Sequence, residues 1–414
     1  MTWLNAHFKS FMRRCLIYRK PVGHPDPATQ LKCAPVNPQI RITLPTLPTE
    51  MYNPPIFDTA LFSDHYAEGR RRWLECLSAL TCPVRYLPYQ YEGEGPNQEA
   101  LITDTVWLGA DNASKVVVII SGTHGVEGLA GNAVQLDLLV RLAAQTLTFS
   151  ADTAILLIHA LTPWGYAWLR RCDAEGIDLN RNSVDFTKPL PENPGYEALI
   201  PLLRIDDPDE RKTRLAEQRS QLGQTVYETA ISAGQYTDPN GPFYGGKAPA
   251  HGRLVTEDLI HRYQLAQRDL IVIDVHTGLG SFGYGEIICD HLPDSAGTAV
   301  AQRLFGKSVM LPALGTSSSG LKQGLMDFVW HRIMNNRSCY ITLEFGTYPT
   351  HELLEVLLTD HLLWAQTGNE AARHAHSQLM REHFCPDDRA WKEMVLFRAH
   401  QVIQQALNGL ADEK

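Results

Sequence analysis

Four short apolar runs dominate the pattern of this chain: residues 116–120 (VVVII), 154–159 (AILLIH), 270–275 (LIVIDV) and 339–345 (CYITLEF). They are continuous where a half-exposed strand would alternate. That is the signature of strands buried on both faces, as in the parallel sheet of an α/β protein. Helical periodicity fills the intervals. Residues 64–80, 127–144, 207–233 and 351–410 read as helices, with short strands expected between 81 and 107. Strands alternating with helices predict an α/β fold: a single mixed, mostly parallel β-sheet sandwiched by helices.

The folded pattern starts near Asp58. Upstream, nine of the chain's 25 prolines fall between 21 and 55, a density that removes backbone donors and forbids helix. Residues 1–20 carry Lys9, Arg13, Arg14, Arg19 and Lys20 and no acid. The expected organisation is therefore a basic, proline-rich extension at 1–55 and a catalytic domain at 56–414. Met51 offers an alternative start, and residues 1–50 are expected to be dispensable. No unbroken apolar run follows the basic start, as a secretory signal would require.

Composition narrows the partners. The net charge of −9 becomes −14 once those five cations are set aside, the opposite of what a phosphate-neutralising protein carries, so no nucleic acid is expected. No stretch reaches the ~18 apolar residues of a transmembrane segment. The eight cysteines form no CxxC pair and no regular framework, which suits a reducing, cytoplasmic location.

In open α/β sheets, ligands collect beyond the carboxyl ends of the strands. The first run leads into Ser121-Gly-Thr-His-Gly-Val-Glu-Gly128. His124 and Glu127 stand three apart at a helix opening and can face one point. An imidazole and a carboxylate are two of the three protein ligands of a catalytic zinc site; the alternative is a helix start with Glu for dipole reasons and an incidental His. The third run contains Asp274-Val-His-Thr, where His276 is either a third ligand or a polar strand end. Glu344 interrupts the fourth run. A buried carboxylate is costly unless paired or used, so Glu344 is either salt-bridged or a general base beside a metal. After the second run, residues 161–182 gather Arg170, Arg171, Asp178, Asn180 and Arg181. That set suits an anionic substrate group and a developing oxyanion, against the reading of a solvated loop.

Two look-alikes fail. Residues 241–247 (GPFYGGK) have the letters of a phosphate-binding loop, but Ala248 replaces its hydroxyl and Pro249 breaks the helix start. Residues 315–320 (GTSSSG) do not give GxSxG.

In order, HxxE, PxGY, Arg, DLNRN, DxHT and a late Glu on a strand resemble the signature of the zinc carboxypeptidase superfamily. The resemblance is nearest to an uncharacterised bacterial carboxypeptidase-like branch with THGVEG and DLNRN, beside the succinylglutamate desuccinylase and aspartoacylase group, and it spans 56–410. It implies one zinc per chain, held by His124, Glu127 and His276, with Glu344 as catalytic base. It further implies that Asn180 and Arg181 grip a substrate carboxylate and that Asp178 orients the first ligand histidine. Arg171, or its neighbour Arg170, would polarise the scissile carbonyl. The family's mobile tyrosine has no counterpart fixed by a motif; Tyr284 and Tyr348 are candidates by residue type alone. The expected activity is that of a zinc metallohydrolase of metallocarboxypeptidase type, cleaving an amide of a peptide or acylated amino acid near a free carboxylate. An N-acyl-amino-acid deacylase or desuccinylase and a non-catalytic zinc-binding scaffold are the alternatives.

Overall fold

The computed structural model describes residues 57–411, so the expected extension at 1–55 lies outside the described residues. Eight strands form one sheet: β1 (Val84–Glu94), β2 (Ala100–Leu108), β3 (Lys115–Ile120), β4 (Thr153–His159), β5 (Asp269–Gly278), β6 (Gly285–Ile288), β7 (Val309–Met310) and β8 (Cys339–Gly346). The four apolar runs are β3, β4, β5 and β8. Every residue of β3, β4 and β5 is buried, as continuous apolar patterning requires.

The strand order is β1-β2-β4-β3-β5-β8-β6-β7. β4, β3, β5 and β8 run parallel, which aligns their carboxyl ends along one edge. The β1–β2 hairpin joins β4 antiparallel, and β6 lies antiparallel to β8 with β7 parallel beside it. The sheet is thus mixed and mostly parallel, flanked by helices. In the β5–β8 register His276 stands beside Glu344.

Helices Tyr66–Leu77, Gly128–Ala143 and Arg389–Ala411 pack together, the latter two against the central strands. One buried amide ties these layers. Trp73 Nε1 donates to Gln135 Oε1 (2.9 Å), and Gln135 Nε2 donates to the Ile119 and Ile158 carbonyls (3.0 Å each). Two expected helices are subdivided. Residues 207–233 form Pro208–Leu222 and Gln224–Ser232, separated by Gly223 at φ 81°, a conformation glycine adopts without steric cost. The 351–410 segment is three helices, Thr350–Ala365, Glu370–Phe384 and Arg389–Ala411. No helix among the described residues is long and apolar enough to cross a membrane.

Candidate active site

Two loops at the carboxyl edge are stitched together by backbone. The Gly125 and Val126 amides donate to the carbonyls of Arg171 (3.0 Å) and Arg170 (2.8 Å). A side chain at 125 would collide with the backbone of Gly165, so the approach needs glycine. This contact delivers Arg171 and Asp178, from the loop after β4, to His124 and Glu127, from the loop after β3.

His124, Glu127 and His276 converge. Their ligand atoms lie within 4.8 Å of one another, and all three side chains are buried. Glu127 Oε1 is 2.8 Å from His124 Nδ1, Glu127 Oε2 is 3.0 Å from His276 Nδ1, and the two Nδ1 atoms are 3.1 Å apart. Two imidazole nitrogens facing each other across one carboxylate form a cluster that could hold a metal ion. Their spacing is close to the ~3.3 Å edge of a tetrahedron with metal–nitrogen bonds of about 2.0–2.1 Å, and a His₂Glu donor set suits zinc. The outer nitrogens also face acids. His124 Nε2 is 3.2 Å from Asp178 Oδ1 and His276 Nε2 is 2.9 Å from Asp274 Oδ2, close electrostatic contacts that are not aligned as hydrogen bonds. Carboxylates behind ligand histidines raise ligand basicity and fix ring orientation.

Electrostatics follow from this packing. Burial opposes the charge of Asp178, but Arg171, His124 and Arg181 outweigh it and hold the carboxyl well below the usual range. Burial likewise opposes the charged form of His276, yet Asp274 and Glu127 raise its pKa well above that of an ordinary histidine. Glu344 is the reverse case. Burial and repulsion from Glu127 push it up to about 7, against the pull of His276, the Leu279 amide and Arg171. Its Oε1 accepts the Leu279 amide at 3.0 Å.

The remaining expected residues separate cleanly. Arg171, Asn180, Arg181 and Glu344 line one cavity with His124, Glu127 and His276, of about 400 Å³. Within the arginine doublet, Arg171 faces the site: Nε donates to Asp178 Oδ2 (3.0 Å) and a terminal nitrogen to Glu127 Oε1 (3.3 Å). Arg170 turns away to Asp360 (2.7 Å) and lies over the Trp364 ring. The Arg181 guanidinium is fully buried beside Phe243 and donates to the Ser232 carbonyl twice and to the Asn180 carbonyl. That uses three of its five N–H donors, and no acid is within ion-pair distance among the described residues. Asn180 Oδ1 accepts the Met326 amide (2.8 Å). The 161–182 segment is no solvated loop, since Arg170, Asp173, Asp178 and Arg181 are all buried. Neither Tyr284, which is exposed, nor Tyr348, which donates to Glu382 (2.6 Å), lines the cavity.

Further ionisable residues that the sequence reading passed over also line the cavity, among them Asp290, Lys322 and Asp327. Asp290 follows β6, whose four residues are too few to stand out beside the longer runs. Lys322 and Asp327 sit in a stretch with no periodicity. Asp274, in the quoted DVHT motif, accepts from Thr123 Oγ1 (2.9 Å) and the Tyr340 hydroxyl (2.7 Å), which fixes the carboxylate behind His276.

A family described as "Protein of unknown function (DUF2817)" matches residues 62–398. No curated protein matches the sequence. Among solved structures, the chain is similar to bovine thrombin-activatable fibrinolysis inhibitor in complex with tick carboxypeptidase inhibitor, at 11% identity and TM-score 0.40 over 78% of this chain and 98% of that one. It is similar also to an aspartoacylase family protein from Mesorhizobium loti, at 16% identity and TM-score 0.35 over 69% and 68%. A third is the succinylglutamate desuccinylase from Chromobacterium violaceum, at 13% identity and TM-score 0.33 over 77% and 74%.

Proposed function

The chain belongs to the DUF2817 family, and for it we propose the activity of a zinc-dependent amide hydrolase whose substrate, a short peptide or acylated amino acid, has a free carboxylate near the scissile bond. One observation carries this reading: the His124–Glu127–His276 cluster shares a cavity with a buried carboxyl, Glu344, and a site-facing guanidinium, Arg171. Zinc held by those three side chains would supply a Lewis acid and make its water acidic near neutral pH.

The chain's own residues account for the rest. Glu344, with a pKa raised to about 7, is poised to take a proton from the attacking water and return it to the leaving nitrogen. Arg171 stabilises the charge that develops on the carbonyl oxygen, and Asp178 holds that guanidinium in place at 3.0 Å. Arg181 and Asn180 receive the substrate carboxylate, Arg181 through the N–H donors that its carbonyl contacts leave over. A deacylase or desuccinylase is the second reading. It is favoured by the position of Tyr284 and Tyr348 outside the cavity, which leaves neither to close over a peptide terminus.

The test is hydrolysis of acylated amino acids and short peptides by the zinc-loaded full-length protein, each substrate as the free acid and as the C-terminal amide. The free acid should be preferred, and a chelator should abolish turnover. Arg181→Ala should slow the acid alone, by roughly 10- to 150-fold for a charge-assisted contact of about 1.5–3 kcal/mol. No turnover of any substrate would leave the zinc-binding scaffold, and equal treatment of acid and amide would remove Arg181 as the anchor.

A further inference from the structure

A surface helix ordinarily turns charged residues to water. The helix Arg389–Ala411 does not. From Ala390 onward its exposed residues fall three and four apart, at Ala390, Met394, Phe397, Gln401, Gln404, Asn408 and Ala411, and none is charged. That spacing is the one by which a helix seam meets a second helix. The opposite face, from Trp391 to Leu410, is buried against the sheet and the helix Gly128–Ala143. Met394 (38% exposed) and Phe397 (55%) are the large apolar members of the exposed stripe. Apolar surface continues beyond the helix. The loop after β5 closes on Met394 at Gly283, where a side chain would collide with it, and carries Phe282 and Tyr284, both exposed. The Phe57 ring meets Phe397 edge-on at 5.6 Å.

The charged groups that border this face are satisfied within the chain. Arg389 pairs with Glu393 (2.8 Å), Lys392 with Asp387, and Arg141 with Asp137 (2.7 Å). Arg398 donates to the Gly285 carbonyl (3.1 Å) and to Gln401 Oε1 (2.6 Å). Such a face calls for no counter-charge from its partner. In a chain of net charge −9, it is also where two copies approach with least repulsion. Amides are self-complementary, each offering donors and an acceptor, so Gln401 and Gln404 suit the rim of a contact between identical surfaces. The size is adequate. A helix of this length spans ~34 Å. With the flanking loop and Phe57 the strip is about two helix diameters wide, ~20 Å. That gives roughly 700 Å², close to the ~800 Å² per partner of a standard interface.

We infer that this face is the contact surface for a second copy of the chain, in a two-fold dimer with the Arg389–Ala411 helices antiparallel and Phe397 next to the axis. A two-fold contact sets one patch against itself, and its centre is its most apolar part. Phe397 then packs against its own counterpart, with Met394 and Tyr284 around it and the Gln401 and Gln404 amides further out. A membrane surface is the poorer occupant, because a membrane-bound helix frames its apolar stripe with lysines and arginines free to meet anionic lipid, and Arg389, Lys392 and Arg141 are already paired. The inference is independent of the hydrolase reading, since the surface shares no residue with the catalytic cavity.

Sedimentation equilibrium of the full-length protein tests this. The wild type should sediment at twice its 46.4 kDa chain mass at tens of micromolar, and raising the salt should not dissociate it, because no ion pair crosses the seam. Phe397→Glu and Phe397→Lys should each weaken association by about 30-fold or more, as loss of a central anchor does, since each sets like charges together at the axis. Mixing the two variants should restore a dimer, which only a contact between Phe397 and its own counterpart explains. Phe397 is exposed, so melting temperatures should stay near the wild-type value; if either variant misfolds, Met394→Glu, which should also dissociate the dimer, carries the test. A monomeric wild type would leave the face to another occupant and overturn the inference. A dimer that withstands Phe397→Glu and Met394→Glu, or that dissociates in salt, would place the contact elsewhere and overturn it as well.

Discussion

Replacing Asp178 by Asn is expected to weaken zinc binding by about 10- to 100-fold while the fold persists. The carboxylate touches three groups: Oδ2 accepts from Arg171 Nε (3.0 Å), Oδ1 accepts the Asn180 amide (2.9 Å), and Oδ1 lies 3.2 Å from His124 Nε2. Asparagine keeps an oxygen for the Asn180 amide and loses the charge. A charge-assisted hydrogen bond is worth about 1.5–3 kcal/mol. Arg171 retains Glu127 at 3.3 Å, so it leans harder on a ligand carboxylate and draws charge from it. A 10- to 100-fold loss corresponds to roughly 1.4–2.7 kcal/mol, the same range. Zinc affinity is measured by competition with a calibrated chelator, beside thermal melts of the metal-free protein. Asp360→Asn is the control: it takes a buried carboxylate from Arg170 (2.7 Å), away from the cavity. It should lower the melting temperature and leave zinc affinity alone. Unchanged zinc affinity in Asp178→Asn, or equal losses in both variants, would refute the reasoning.

Glu344→Gln should retain zinc and lose about 10²-fold or more in kcat, since the amide cannot accept a proton; near-normal turnover in a zinc-replete variant removes Glu344 from the mechanism. The raised pKa of Glu344, about 7, means that the base is lost as pH falls, so kcat/KM should decline on the acid side. A cation held by His124, Glu127 and His276 would lower that pKa, placing the limb at or below about 7; a kcat/KM that rises as the pH falls below 7 contradicts the assignment. Asp178 titrates well below the ordinary ~3.9 of an aspartate. Its contribution to stability is fully present above the unfolded value and lost as pH falls through the depressed folded value. The stability gap between metal-free wild type and Asp178→Asn should therefore be constant from pH 5 to 8 and close in stronger acid, and a gap that widens on acidification is inconsistent with it.

The parts of the molecule that were legible are those whose neighbours in space follow directly from strand burial. Continuous apolar runs can only be inner strands, so β3, β4, β5 and β8 and the parallel edge they create were readable, and with them His124, His276 and Glu344 at that edge. The choice between Arg170 and Arg171 was not. It depends on the Gly125–Arg171 and Val126–Arg170 backbone contacts between two loops, which leave no periodic trace. Asp290, Lys322 and Asp327 escaped for the same reason, since a four-residue strand and an aperiodic loop bring them to the cavity. The break at Gly223 was written in a single glycine within an otherwise unbroken charged helical pattern.

Metal content of the purified protein tests the His124–Glu127–His276 centre most directly. After loading with zinc and removal of the excess, elemental analysis should find about one zinc per wild-type chain, as expected for two imidazoles and a carboxylate with an open position. His276→Ala, which removes one imidazole from the cluster, should retain little. A wild type that holds no zinc, or a His276→Ala protein that holds as much as the wild type, would contradict the metal centre and the hydrolase built on it.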